Sequence, residues 1–225
     1  MTKDKIYARQ TDLVTPKELS FPILLIGCGG IGSWTATALC RMGCKYISAV
    51  DHDAIEAQNV ASQAYLWSQV GSSKAVELSG MLWEITEESE ETFAAFPMTF
   101  QDYLKKNPKT KPSVIICALD SMDERIKLWE KVKKMDKTDF YIDARMGGEL
   151  LRVYSFDPLH IKEREKYEKT LYPSSKADPM PCTARSIIYT TFFCAGVISN
   201  YVKRFAKKQS IRFETIMDFD SMQFI

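Results

Sequence analysis

Short, continuous apolar runs alternate along this chain with stretches whose apolar positions recur every three or four residues. Phe21-Pro-Ile-Leu-Leu-Ile-Gly27 is one such run, and a parallel strand buried on both faces reads this way. The next stretch, Ile31 to Met42, has helical spacing and ends at Gly43, which suits a left-handed C-cap. Tyr46 to Val50 is a second predicted strand, closed by Asp51-His52-Asp53. Ser72 or Ser73 can cap a helix running to Ile85, with Ala75, Leu78, Met81, Leu82 and Ile85 on one face. A solvated acidic run, Glu87 to Glu91, precedes a predicted strand over Phe93 to Thr99.

Beyond the breaker-rich loop Asn107 to Pro112, Ser113 to Leu119 is another apolar strand, and a helix follows from Asp123 to Lys134. Phe140 to Ala144 and Leu150 to Phe156 read as further strands. Such alternation predicts βαβ units and an α/β, doubly wound, mainly parallel, Rossmann-like sheet. Asp157 to Pro181 is charged and carries four prolines (158, 173, 179 and 181), as a long crossing loop would. Arg185 to Lys207 is then a long apolar helix and Ile211 to Phe219 a terminal strand. The expected organisation is a single domain. It comprises an arm over 1–20, a core over 21–156, a crossing loop over 157–184, and a helix and strand over 185–225.

Composition narrows the function classes. With 225 residues, 45% of them hydrophobic and 26% charged, the chain is neither disordered nor fibrous. Thirty basic residues against 29 acidic leave a formal charge of +1, so no overall field drives binding to nucleic acid or a membrane surface. The basic residues near 203–208 suit a helix C-terminus. The most apolar stretch, Ile187 to Val202, is interrupted by Thr190, Thr191, Ser199 and Asn200 and is shorter than the ~20 residues of a membrane span. The six cysteines form no C-x-x-C pair, which argues against a zinc ribbon or thioredoxin-like site. The polar first twenty residues give no signal segment, so a cytoplasmic setting is expected.

Chemistry concentrates after the first strand. Gly27-Cys-Gly29-Gly30-Ile-Gly32 satisfies G-x-G-x-x-G between a predicted strand and helix. There the glycines permit a tight turn, and unpaired helix N–H groups can receive phosphate. Asp51 ends the next strand, where a carboxylate can accept from ribose hydroxyls. Dinucleotide oxidoreductases and adenylating enzymes share this grammar, so the loop alone leaves the nucleotide open. Val70-Gly-Ser-Ser-Lys74 places a lysine at a helix start within reach of a phosphate, although a solvated lysine is the bland alternative. Asp120 follows the strand Val114 to Leu119 at the ligand-binding edge. It can hold magnesium against phosphate oxygens or merely cap the next helix.

In order, G-x-G-G-x-G, D-x-D (Asp51, Asp53), Asn59, G-x-x-K and A-L-D-x-x-x-x-R resemble the adenylating domain of ubiquitin-activating enzymes and the ThiF/MoeB adenylyltransferases. Tyr7-Ala-Arg9-Gln10 also matches the family's R-Y-x-R-Q opening, without its first arginine. The resemblance runs from about Tyr7 to the C-terminus. It implies Mg·ATP-dependent adenylation of the C-terminal carboxylate of a small ubiquitin-like protein or peptide, by a homodimer. Carried over residue by residue, Gly27, Gly29, Gly30 and Gly32 cradle the nucleotide and Asp51 binds ribose. Asn59 and Lys74 take the phosphates, Asp120 the magnesium, and Asp53 and Gln63 complete the pocket. By the same resemblance Arg9 reaches the partner subunit's ATP site, and Cys182, in Met180-Pro-Cys-Thr-Ala-Arg185, captures the activated carboxylate as a thioester or persulfide.

The chain departs from the family where N-L-x-R-Q becomes Asn59-Val-Ala-Ser62-Gln63, so a serine replaces the phosphate-binding arginine. Arg9 or Arg145 is the candidate compensation. The spacing from Asn59 to Lys74 is one residue shorter than the family's. The paired zinc cysteines are absent, which marks a compact, zinc-free, divergent branch. For Cys182 a buried packing role stands beside capture. Cys28, Cys40, Cys44, Cys117 and Cys194 are expected to pack in the core. A nicotinamide oxidoreductase would leave Lys74 and Asp120 unexplained, and an inactive nucleotide-binding scaffold would be consistent with Ser62.

Overall fold

The computed structural model describes residues 6–86, 92–176 and 186–225. Ile23–Ile26 (β1), Ile47–Val50 (β2), Phe93–Phe96 (β3), Val114–Cys117 (β4) and Phe140–Gly147 (β5) are mutually parallel. Leu150–Phe156 (β6), Glu214–Asp218 (β7) and Gln223–Phe224 (β8) extend the sheet in antiparallel fashion. The order is β3-β2-β1-β4-β5-β6-β7-β8. This is the expected α/β, Rossmann-like architecture, and the chain reverses its winding between β1 and β4.

The period of two along β1 explains its unbroken apolar sequence. Ile23 and Leu25 enter a core shared with Gly30–Met42 (α1), Lys74–Thr86 (α2) and Ile188–Ala206 (α6). Leu24 and Ile26 enter the opposite core, with Phe100–Lys106 (α3), Met122–Val132 (α4) and Ile161–Glu168 (α5). A strand covered by helices on both faces favours an apolar side chain at every position. Cys28, Cys40, Cys44, Cys117 and Cys194 are buried as expected, and burial raises the Cys117 thiol to about 11.

Several boundaries differ from the sequence reading. The expected crossing loop contains α5, a solvated helix of which only Tyr167 is buried. The strand expected over Phe93 to Thr99 stops at Phe96, because the Thr99 hydroxyl accepts the Asp102 N–H and starts α3. β5 runs past Ala144 to Gly147 and turns into β6 through Gly148, at φ +60°. The last helix begins at Ile188, and β7 is followed by the short β8. The acidic run Glu87 to Glu91 and the segment 177–185 lie outside the described residues.

The arm packs against the far end of α1. Gln10 Nε2 donates to the Met42 carbonyl at 2.5 Å. Gly43 ends α1 at φ 105°, its N–H reaching the Leu39 and Cys40 carbonyls. Pro16 lies against this glycine. Lys207, just after α6, bonds Glu18 at 2.8 Å, which pushes the Glu18 carboxyl down to about 2.

Candidate nucleotide site

The site forms where β1, β2 and β4 end. Gly27 has φ +93°, and a Cβ there would stand 2.6 Å from the Ala118 carbonyl oxygen. At Gly32 a Cβ would come within 1.9 Å of the Gly27 carbonyl oxygen. Both positions therefore require glycine, and the loop closes directly onto the β4 turn. Gly29 caps α1 without a side chain, so the first-turn N–H groups point outward with no intrahelical acceptor. A Cβ at Gly30 would be 3.0 Å from the Thr191 methyl of α6, so that helix leans over the loop.

Asp51 fixes the loop to the end of β2. Its Oδ2 accepts the Cys28 N–H at 2.6 Å and its Oδ1 the Asp53 N–H at 2.8 Å. Each oxygen keeps a lone pair for a ribose hydroxyl. Lys74 is only 7% exposed, and its Nζ pairs with Asp53 Oδ2 at 2.9 Å. Its own N–H donates to the Asp53 carbonyl at 3.0 Å, so the start of α2 is anchored beside the glycine loop. The Tyr65 hydroxyl lies 2.7 Å from the Cys28 carbonyl oxygen and 3.1 Å from that of Lys74, joining the two walls. The amide nitrogen of Gln63 lies 3.9 Å from where a Gly29 Cβ would sit, and its buried Oε1 has no partner. Asn59 Oδ1 accepts the Glu56 N–H at 2.9 Å, and its amide nitrogen makes no hydrogen bond among the described residues.

Asp120 is exposed across the winding reversal and makes no hydrogen bond or ion pair among the described residues. The capping alternative fails, because Ser121 caps α4 by accepting the Glu124 N–H at 3.3 Å. Among the described residues, one grouping brings potential metal ligands within 4.8 Å of one another, namely Asp51, His52 and Asp53. Lys74 already pairs with Asp53, and a cation there would compete with it. A glycine cradle, a buried lysine and an uncommitted carboxylate fit a nucleotide phosphate chain with its magnesium.

Other candidates fall elsewhere. Ser62 is buried; its hydroxyl bonds Ser186 at 3.1 Å and its carbonyl takes the Trp34 indole N–H at 3.1 Å. No charge stands at this position. Arg145 does not replace it, contrary to the sequence reading. Its Nε bonds Asp143 at 2.8 Å, and its other nitrogens reach the Thr170 carbonyl and hydroxyl at 2.9 and 3.0 Å. Arg9 is exposed on the arm, roughly 20 Å from its own glycine loop by the rise of α1. Cys182 lies outside the described residues.

The sequence reading missed Asp143. It is fully buried, held by Arg125 Nε at 2.6 Å, Arg145 Nε at 2.8 Å and the Tyr167 hydroxyl at 2.9 Å. Burial alone would raise its carboxyl, but the two guanidinium charges outweigh that and hold it below the usual range. The available signal was a lone aspartate inside the apolar run Phe140 to Ala144, which demands a cationic partner.

Sheet order and glycine loop together define an α/β protein of Rossmann-like type. The chain belongs to the ThiF family, which matches residues 10–224. It is 27% identical over 179 residues to the tRNA threonylcarbamoyladenosine dehydratase of Escherichia coli K12, covering 79% of this chain. It spans 60% of that relative's length. Escherichia coli MccB with ATP has the same fold, with a TM-score of 0.73 at 17% identity over 98% of this chain and 70% of the other. MccB with AMPCPP and MccA gives 0.71 at 18% identity, over 95% and 65%. No described helix is long and apolar enough to cross a membrane.

Proposed function

We propose that this chain uses ATP to adenylate the C-terminal carboxylate of a peptide or small ubiquitin-like protein. One observation carries the reading: the buried Lys74, fixed by Asp53 beside the glycine loop, and the uncommitted Asp120 after β4 stand on either side of the winding reversal. A nicotinamide pocket needs neither group. The structural likeness to MccB with ATP, and to MccB with an ATP analogue and MccA together, supports ATP and a peptide as the two substrates.

In this reading Gly29, Gly30 and Gly32 turn backbone N–H groups toward the phosphates, and Asp51 accepts from the ribose. Lys74 and the Asn59 amide neutralise and orient the phosphate chain, with Gln63 closing the pocket over Gly29. Magnesium, held by Asp120, would offset charge on the phosphates and on the departing pyrophosphate. The substrate carboxylate oxygen bonds to the α-phosphorus as the bond to pyrophosphate breaks, giving an acyl adenylate. Positioning and charge neutralisation supply most of the rate. Attack of the Cys182 thiolate on the acyl carbon, forming a thioester as the bond to AMP breaks and AMP leaves, is the proposed following step.

The proposal includes a homodimer with Arg9 donated in trans. Arg9 is exposed on the arm, which packs at the far end of α1 from the glycine loop, and Ser62 brings no charge. The arm sits near the C-terminal end of α6, through Lys207 and Glu18, while Thr191 near its N-terminal end touches the glycine loop. A two-fold axis across α6 exchanges those ends and sets the partner's arm beside this loop. The exposed Ile187, Tyr189 and Phe192 at the start of this helix suit such a contact.

The test is pyrophosphate exchange with carboxylate-terminated peptides, paired with calorimetric titrations of Mg·ATP and NADH. Lys74→Ala and Asp120→Ala should each lower exchange by about 10²–10³-fold. Mixed Arg9→Ala and Lys74→Ala dimers should regain up to about half of wild-type exchange, since one site keeps both residues. On gels, any reductant-sensitive conjugate should vanish in Cys182→Ser. NADH binding without ATP binding would overturn the reading. Near-wild-type exchange in both Lys74→Ala and Asp120→Ala would overturn the roles. No recovery after verified subunit exchange would remove the trans arginine, and a conjugate surviving in Cys182→Ser would remove the capture.

A further inference from the structure

We propose that the buried Arg125–Asp143 pair positions Asp120 for magnesium by fixing the peptide bond that precedes it, an inference that rests on the adenylation reading. Asp120 makes no side-chain hydrogen bond or ion pair among the described residues, so its backbone sets where its carboxylate stands. That backbone is held from one side. Arg125 Nη2 donates to the Leu119 carbonyl, the bond immediately before Asp120, at 2.5 Å, and to the Ala144 carbonyl at 3.1 Å. Its Nε meets Asp143 Oδ1 at 2.6 Å. One planar guanidinium, 3% exposed, therefore joins the turn after β4 to the middle of β5.

Register puts the anchor in place, since Asp143 pairs with Cys117 across the parallel β4–β5 ladder. Its second oxygen takes Arg145 and Tyr167, and Arg145 goes on to Thr170. The same carboxylate thus holds two margins of the site: the turn that carries Asp120 and the chain leading from α5 toward residue 177. Arginine suits the first task because its fork reaches an acid and two carbonyls in fixed directions. A lysine can pair with Asp143 but cannot bridge both carbonyls as well. Because an apolar replacement of a buried ion pair often costs no stability, cohesion alone does not account for this arrangement.

The experiment combines hydrogen exchange on the ligand-free protein with calorimetric ATP titrations, with and without magnesium. Arg125→Lys should speed amide exchange over 118–122. It should also lower the ratio of ATP affinities with and without magnesium by about 10–100-fold, as loss of an outer-shell support does. Affinity for ATP without magnesium should stay near wild type. Arg145→Lys should loosen 168–174 and leave the magnesium ratio unchanged. Wild-type exchange over the turn together with a wild-type ratio in Arg125→Lys would overturn the proposal. An equal loss of the ratio in Arg145→Lys would overturn it too, by marking a general loosening. If Arg125→Lys does not fold, the guanidinium resonances of wild-type Arg125 decide: they should shift with Mg·ATP and not with ATP alone, and unchanged resonances count against it. Wild-type protein that binds no ATP would overturn the adenylation reading and the magnesium role; faster exchange in Arg125→Lys would then place the fault in that reading rather than in the positioned turn.

Discussion

Asp120 follows β4 and Asp143 lies in the neighbouring β5, yet their surroundings are opposite. Asp120 is exposed at the end of β4 with no partner among the described residues, whereas Asp143 is buried under three donors. An exposed carboxylate stays hydrated while unpaired and so remains available to a cation. A buried one must be saturated or protonated, and saturation leaves no valence for a ligand. Asp51 lies between these limits: two backbone N–H groups fix it and one side remains open. The degree of saturation thus separates carboxylates that hold the architecture from those that meet substrate.

The largest expected effect breaks that contrast at its buried end. Asp143→Ala leaves Arg125 and Arg145 without their counter-ion, and removing one member of a buried pair costs about 3–5 kcal/mol. Asp120→Ala should leave stability nearly unchanged while removing magnesium-dependent exchange. Urea denaturation of both variants checks this. A stable Asp143→Ala protein, or a strongly destabilised Asp120→Ala protein, would reverse the two roles.

The sequence made the open end legible and hid the closed one. Gly27 and Gly32 announce a backbone too close for any Cβ, and Asp51, Lys74 and Asp120 follow strands or start helices where the pattern is strong. Asp143 gains its meaning only from the β4–β5 register and from Arg125 on α4, which spacing along one chain does not reveal. The helix α5 went unread because only Tyr167 in it is buried, so no apolar stripe marks its period. Arg145, a candidate for the missing phosphate arginine, proved to be committed to Asp143 and Thr170.

Acid should sharpen the comparison by a smaller amount. Asp143 titrates below the ordinary carboxyl value of 3.8 in the folded protein, so the unfolded chain binds protons first as pH falls. Its contribution is complete above 3.8 and is lost as pH drops through the folded value. Glu18, lowered from 4.5 to about 2 by the Lys207 hydrogen bond, behaves alike over that window. Because Glu18 is only half-buried, its share should fade with added salt, whereas the share from Asp143 should persist. Denaturation midpoints from pH 5 to 2, at low and high salt, test this; a flat profile would contradict it.

The smallest effect touches neither carboxylate. Gly80 lies exposed inside α2, and a Cβ added there meets nothing within 4 Å. Glycine in a helix interior costs about 0.5–1 kcal/mol relative to alanine, through backbone entropy. Gly80→Ala should therefore stabilise the protein by about that amount. Because Lys74 lies at the start of α2, more than one turn from Gly80, pyrophosphate exchange should stay at the wild-type level. Gly32→Ala supplies the contrast, since its Cβ would collide with the Gly27 carbonyl at 1.9 Å and deform the loop. A loss of exchange in a stabilised Gly80→Ala protein would mean that motion of α2, and not only its placement of Lys74, belongs to the reaction.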